Sequence, residues 1–250
     1  MYGMICIALI ALIVLYFIPS HPTITTIHVL NLEKDAKRWL ALEANAKRLG
    51  ISLQRFPGFD GSVLTQHMVH SHGVGRAMIR PNRNDKEGKH LVNRGIVGCF
   101  IAHRNLLTHL ASLPYSDSTG HMILEDDITL PYDFLKPGGR WEKAAAKIPG
   151  SYDIILCGLW HPHGRMISEN IYKLESDPTK RVNLGTFCYV VRHGALRSKI
   201  LPWLRYMVDA YDDQLSLKYG EWESYGIKPN IVEINAEITE SSINTINDRS

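Results

Sequence analysis

TITTIHVLNL (23–32), EKDAKRWLALEANAKRLG (33–50) and ISLQRFPGFDG (51–61) follow one another without a gap, and their reading decides the fold. The first segment is β-branched and apolar, bounded by Pro22 and a charged run, which predicts a buried strand. In the second, Trp39, Leu42, Ala46 and Leu49 recur at helical spacing, and Gly50 is placed to cap the end. The third returns to a short strand that runs into a Gly-containing turn. Strand–helix–strand in this order implies a parallel pair joined by a right-handed crossover.

The alternation continues downstream. GIVGCFIAHRNLLTHLASL (95–113) predicts a helix with Val97, Ile101, Leu106, Leu107 and Leu110 on its core face. HMILEDDITL (121–130) and SYDIILCGL (151–159) predict buried strands, with helical material broken by Pro137 between them at 131–149. GTFCYVVRHGALRSKILPWL (185–204) predicts strand, turn and helix, and IVEIN (231–235) a last strand. The stretches 62–94, which is basic, and 160–182, which is polar, are expected as excursions; a loop as long as 62–94 inside a domain is usually functional or disordered. The expected class is α/β with a mostly parallel sheet.

At 250 residues, with 45% hydrophobic and 21% charged residues, the chain can bury a core without disulfides or a structural metal. A net charge of +3 is too small to point to a nucleic-acid partner. Of four cysteines, Cys99, Cys157 and Cys188 sit in apolar or Gly-containing runs with no Cys-x-x-Cys spacing, and are expected as buried thiols. Residues 1–18, MYGMICIALIALIVLYFI, carry no charge and reach the short limit of a membrane span. A transmembrane signal-anchor is expected there, with an export signal as the competing reading. Residues 19–23 then form a linker, 24–243 the main domain, and 244–250 a tail.

Glu125, Asp126 and Asp127 directly follow the apolar Met122, Ile123 and Leu124. Adjacent carboxylates at a buried strand end repel one another and raise each other's pKa unless a cation is present. Hard divalent cations take such oxygen ligands and share them with substrate phosphates. In open α/β sheets the ligand crevice lies at these carboxyl ends. A solvated acidic turn ahead of Pro131 is the competing reading.

Several segments in order resemble glycosyltransferase family 25: IHVLNLEKDAKRW (27–39), RFPGFDG (55–61), GIVGCFIAHRNLL (95–107), MILEDD (122–127), GTFCYVVRHGA (185–195), VDAYDDQL (208–215) and ESSI (240–243). The Glu125-x-Asp127 spacing matches the acid-x-acid signature of metal-dependent glycosyl transfer. The resemblance implies a single Rossmann-like domain of the GT-A type. It also implies a nucleotide-sugar donor, UDP-galactose or UDP-glucose, Mn²⁺ or Mg²⁺, and inverting transfer to a glycan, glycoprotein or glycolipid acceptor. By resemblance Asp127 and Glu125 hold the metal. Asn31, Arg38, His103, Asp126 and, more weakly, Asp60 are assigned to the donor. The late acidic motif leaves Asp209, Asp212 and Asp213 as candidates for the base, and Asp212 is the choice. Ala102 stands where the family usually has Ser before His103. That departure keeps open an alternative, a membrane-anchored glycan-binding protein with the same fold and no turnover.

Overall fold

The computed structural model describes residues 21–73 and 94–235. The apolar run at 1–18, most of the basic stretch and the ESSI segment with the tail lie outside the described residues. No helix among the described residues is long and apolar enough to cross a membrane.

Strand β1 (Thr26–Asn31) leads into helix α1 (Ala36–Arg48) and strand β2 (Gln54–Pro57), as the opening segments predict. A short helix α2 (Gln66–Ser71) follows inside the stretch expected as loop. Helix α3 (Arg94–Ser112) then delivers the chain to β3 (Gly120–Glu125). The strand ends at Glu125, the first of the three acids, and does not continue to residue 130. Beyond the turn at Asp126 and Asp127, β4 (Ile128–Thr129) leaves the main sheet and pairs with β10 (Glu233–Ile234) in a separate ribbon.

The remaining strands are β5 (Ile154–Leu156), β6 (Gly164–Ser168), β7 (Ile171–Leu174), β8 (Cys188–Arg192) and β9 (Ser224–Ile227). The main sheet runs β2-β1-β3-β8-β5-β9-β7-β6. It is mixed: β1–β2, β1–β3 and β5–β9 are parallel, whereas β3–β8, β5–β8, β7–β9 and β6–β7 are antiparallel. The parallel expectation therefore holds for β2-β1-β3 and for β5–β9, and fails where β8 inserts between β3 and β5 and where β7 and β6 are added at the edge. β8 runs antiparallel to both its neighbours, β3 and β5. The polar stretch at 160–182 contains the β6–β7 hairpin, and hairpin strands are antiparallel. β6 closes the sheet edge with its middle residues exposed, so its sequence carries no apolar alternation.

The central strands are apolar on both faces because both faces are covered. Leu30, Ile123, Ile154, Leu156, Tyr189 and Val191 pack with Val97, Phe100, Ile101 and Leu107 of α3. Their strand neighbours Val29, Met122, Leu124, Ile155 and Val190 pack on the other side with Leu42 and Ala46 of α1 and with Trp141. The result is a three-layer sandwich. Asp153, fully buried before β5, is satisfied by Lys199 Nζ at 2.5 Å, Arg192 Nη2 at 3.2 Å and the Glu223 amide at 2.9 Å.

A buried polar row crosses the end of the sheet where β1 and β3 begin. His28 Nε2 lies 3.0 Å from Thr26 Oγ1, which lies 2.8 Å from His121 Nδ1, and His121 Nε2 lies 3.1 Å from His193 Nδ1. Burial first, then the neighbouring His109, pushes His28 down to about 4; burial, then His193 and His28, does the same to His121. Histidines held neutral in the native state must be charged on acidification, so the unfolded chain binds more protons. Their contribution is complete above the unfolded value near 6.5 and is lost as pH falls towards about 4. The expected cost at the acid end is on the order of 2 kcal/mol per histidine. Denaturant midpoints measured from pH 7 to pH 4 check this, and His121→Gln should flatten the slope.

Candidate functional site

The chain passes from β1 through α1 to β2 on one side of β1, then through α3 to β3 on the other. The two helices cover opposite faces of the sheet. That reversal opens a crevice at the carboxyl end of β1, the place where open α/β sheets bind ligands. A cleft of about 330 Å³ occupies it. Asn31, Arg38, Asp60, His103, Glu125, Asp126 and Asp127, seven of the eight residues assigned from sequence, line it.

One wall is a tight network around Asp126. Asn31, the last residue of β1, donates through Nδ2 to Asp126 Oδ2 at 2.6 Å. Arg38, in the first turns of α1, approaches Asp126 Oδ1 at 3.4 Å. Arg55 of β2 donates to Asn31 Oδ1 at 2.5 Å. Burial pushes the Asp126 carboxyl up, and the Asn31 and Arg38 contacts only partly offset that. Asp126 is thus a brace between β1, α1 and the end of β3.

Across the cleft, Asp60 pairs with Lys34 at 2.9 Å and accepts from the Ser62 amide at 2.9 Å. Lys34, together with burial-opposed hydrogen bonds, holds its carboxyl below the usual range. The turn carrying Asp60 abuts the start of α3. A Cβ on Gly98 would stand 2.7 Å from the Phe59 carbonyl oxygen and 2.9 Å from the Gly61 nitrogen, and one on Gly61 would stand 1.8 Å from the Arg94 oxygen. Glycine at both positions lets helix and turn meet, which brings the amino end of a 19-residue helix to the cleft. A helix amino end of this kind favours anions.

The floor holds Glu125, His103 and Cys99. His103 Nε2 lies 3.4 Å from Glu125 Oε1, and its Nδ1 lies 3.0 Å from the Tyr189 hydroxyl. Tyr211 stacks on the imidazole at 4.1 Å between centroids and 8° between planes. Cys157 and Cys188 are buried thiols as expected, but Cys99 is half-buried and faces the cleft. Burial, then Glu125, Asp212 and Asp127, raises its thiol well above the ordinary value.

Asp127 completes the triplet. Burial, then Glu125 and Asp126, pushes its carboxyl up to about 7, against a smaller opposing pull from Arg38. Burial is the larger cause, and the mutual repulsion the sequence implies adds to it; a positive charge at this place would offset both. The Asp127 carbonyl accepts from the Asn235 amide at 2.8 Å, so the turn is held in place from behind.

Asp212 does not line the cleft. It sits behind Gly185, whose amide approaches its carboxylate at 3.3 Å, and accepts from the Asp213 amide at 3.0 Å. Burial, then Asp213, raises its carboxyl, and Glu125 contributes to the same shift. The other two late acids are committed elsewhere: Asp213 holds Arg181 through two bonds of 2.8 and 2.6 Å, and Asp209 accepts from the Ala210 amide at 2.9 Å. Sequence reading missed Lys34, Arg55 and Cys99. Lys34 and Arg55 lie inside the quoted segments 27–39 and 55–61 but carry no role in the sequence reading. Cys99 and His103 stand four residues apart on α3, which places them on one face, but the cysteine reads as core.

Residues 24–189 match the family model described as glycosyltransferase family 25 (LPS biosynthesis protein). The chain is also similar to proteins named glycosyltransferase 25 family member in three insects. It is 26% identical over 136 residues to that of Anopheles gambiae, covering 54% of this chain and 22% of the relative. For Aedes aegypti the figures are 26% over 147 residues, 57% and 23%. For Drosophila melanogaster they are 26% over 139 residues, 56% and 22%. The similar region thus spans about a fifth of each of these relatives' length.

Proposed function

The chain belongs to glycosyltransferase family 25, and from that premise we propose that it transfers a hexose from a nucleotide-sugar, galactose or glucose carried on UDP, to a glycan, glycoprotein or glycolipid acceptor, with inversion. The observation that carries the reading is the cleft at the reversal point of the sheet, which joins an acidic triplet to the amino end of α3. A donor diphosphate fits between the two: the helix end and Arg38 favour its charge, and the triplet calls for a cation to accompany it.

Glu125 and Asp127 suit Mn²⁺ or Mg²⁺, since such ions are commonly held by one or two carboxylates plus substrate phosphates. The repulsion that lifts Asp127 is what a cation there would relieve. Bound there, the ion would neutralise charge on the departing diphosphate. Asp126 acts differently. It positions Asn31 and Arg38 and so shapes the nucleotide side of the cleft. Asp212 lies outside the cleft lining but in electrostatic reach of Glu125 and Cys99 on its floor. As general base it would take the proton of an acceptor hydroxyl bound on that side, directly or through one water, and its raised carboxylate pKa suits that role. The uncharged run at 1–18 supports anchoring of this domain to a membrane.

The test is thermal unfolding of the full chain with UDP-galactose or UDP-glucose, with and without Mn²⁺. A native-state ligand at a hundred times its Kd stabilises by about 2.7 kcal/mol. Stabilisation that requires Mn²⁺, together with slow donor hydrolysis, is the expected result. Stabilisation without any hydrolysis or transfer would favour the glycan-binding alternative. No response to any nucleotide-sugar would overturn the donor assignment.

A further inference from the structure

We propose that Cys99, His103 and Glu125 form a separate site for a thiolate-binding divalent cation, of which Zn²⁺ is the type, on the floor of the cleft. One ligand atom from each of the three lies within 4.8 Å of the other two. The donor set mixes sulfur, imidazole nitrogen and carboxylate oxygen, which favours zinc over the hard ions that use oxygen alone.

Three further features support it. Cys99 and His103 are four residues apart on a 19-residue helix, so their side chains share one face of a rigid element. The 3.4 Å between His103 Nε2 and Glu125 Oε1 matches the edge of a tetrahedron with zinc–ligand bonds of about 2.0–2.2 Å. The imidazole is already oriented. Its Nδ1 meets the Tyr189 hydroxyl, Tyr189 meets the Tyr211 hydroxyl at 3.0 Å, and Tyr211 stacks on the ring. Partners on the far nitrogen of this kind fix a metal-binding histidine. All three ligands line the cleft, so a fourth position opens towards it. Binding requires the thiol proton to leave for solvent as the sulfur–metal bond forms.

Glu125 belongs to both this set and the acidic triplet. Zinc here therefore withdraws one carboxylate from the transfer site and inhibits; this clause alone rests on the proposed transfer activity.

The probe is Co²⁺, added to the chelator-treated full chain and read by absorption. Wild type is expected to give a thiolate-to-cobalt charge-transfer band at one equivalent, displaced by Zn²⁺, and Cys99→Ala to lose it. Alkylation mapped by peptide provides a second readout on wild type alone. One equivalent of Zn²⁺ should slow modification of Cys99 by at least about tenfold, and Mg²⁺ should not. Absence of the band in wild type, its persistence in Cys99→Ala, or unprotected Cys99 under stoichiometric Zn²⁺ would each overturn the site, whatever the outcome for nucleotide-sugars.

Discussion

Replacing Asp127 with alanine is expected to lower metal-dependent transfer by roughly a thousandfold or more, because a cation at a developing diphosphate contributes several kcal/mol. The loss should appear in kcat, and donor affinity should fall only when Mn²⁺ is present. The structure explains why the substitution should not simply unfold the chain. Asp127 carries a carboxyl pushed up to about 7 by burial and by its neighbours Glu125 and Asp126, so removing it relieves repulsion. Its backbone carbonyl, which holds Asn235, is untouched by the change. The mutant should therefore melt at or above the wild-type temperature while losing activity. Activity titrated against Mn²⁺, alongside a melting curve, checks both halves, and full activity in Asp127→Ala would falsify the assignment.

Asp212→Asn should cost about a hundred- to ten-thousandfold in kcat, the range for removing a general base. Its pH signature separates this role from a structural one. The base works ionised, so kcat/KM should fall as pH drops through its pKa. Burial and then Asp213 hold that pKa above the ordinary carboxylate value, so the acid limb should lie higher than a free aspartate would place it. Asp213→Asn removes the second cause and should move the limb to lower pH, although it also frees Arg181. In Asp212→Asn the limb should disappear from the residual rate. An unchanged limb in that variant would transfer the role to another group.

What was legible in the sequence follows burial. β1, α1, β3 and α3 read correctly because a strand covered on both faces is continuously apolar, and a helix covered on one face repeats at its own period. The β6–β7 hairpin was illegible because its outer strand faces solvent and carries Arg165, Met166 and Ile167 without alternation. β9, Ser-Tyr-Gly-Ile, is short and includes a glycine whose added Cβ would meet Leu174, so its buried position shows only in the packing. The acidic triplet was legible as chemistry but not as three roles. Only the fold separates Asp126, held by Asn31, from Glu125, held near His103. Cys99 was the reverse case. Its spacing to His103 was visible, and its exposure to the cleft was not.

The direction of β1 has one more consequence. The strand runs from Thr26, at the histidine-row end of the sheet, to Asn31 at the cleft, about 17 Å away by its rise per residue. Thr25, whose amide donates to the Gly120 carbonyl at 2.8 Å, thus enters the strand at the pole opposite the cleft. A tether on that side would hold the domain by its base with its mouth turned outward, and bulky acceptors could approach along the free axis without meeting the surface that holds the protein.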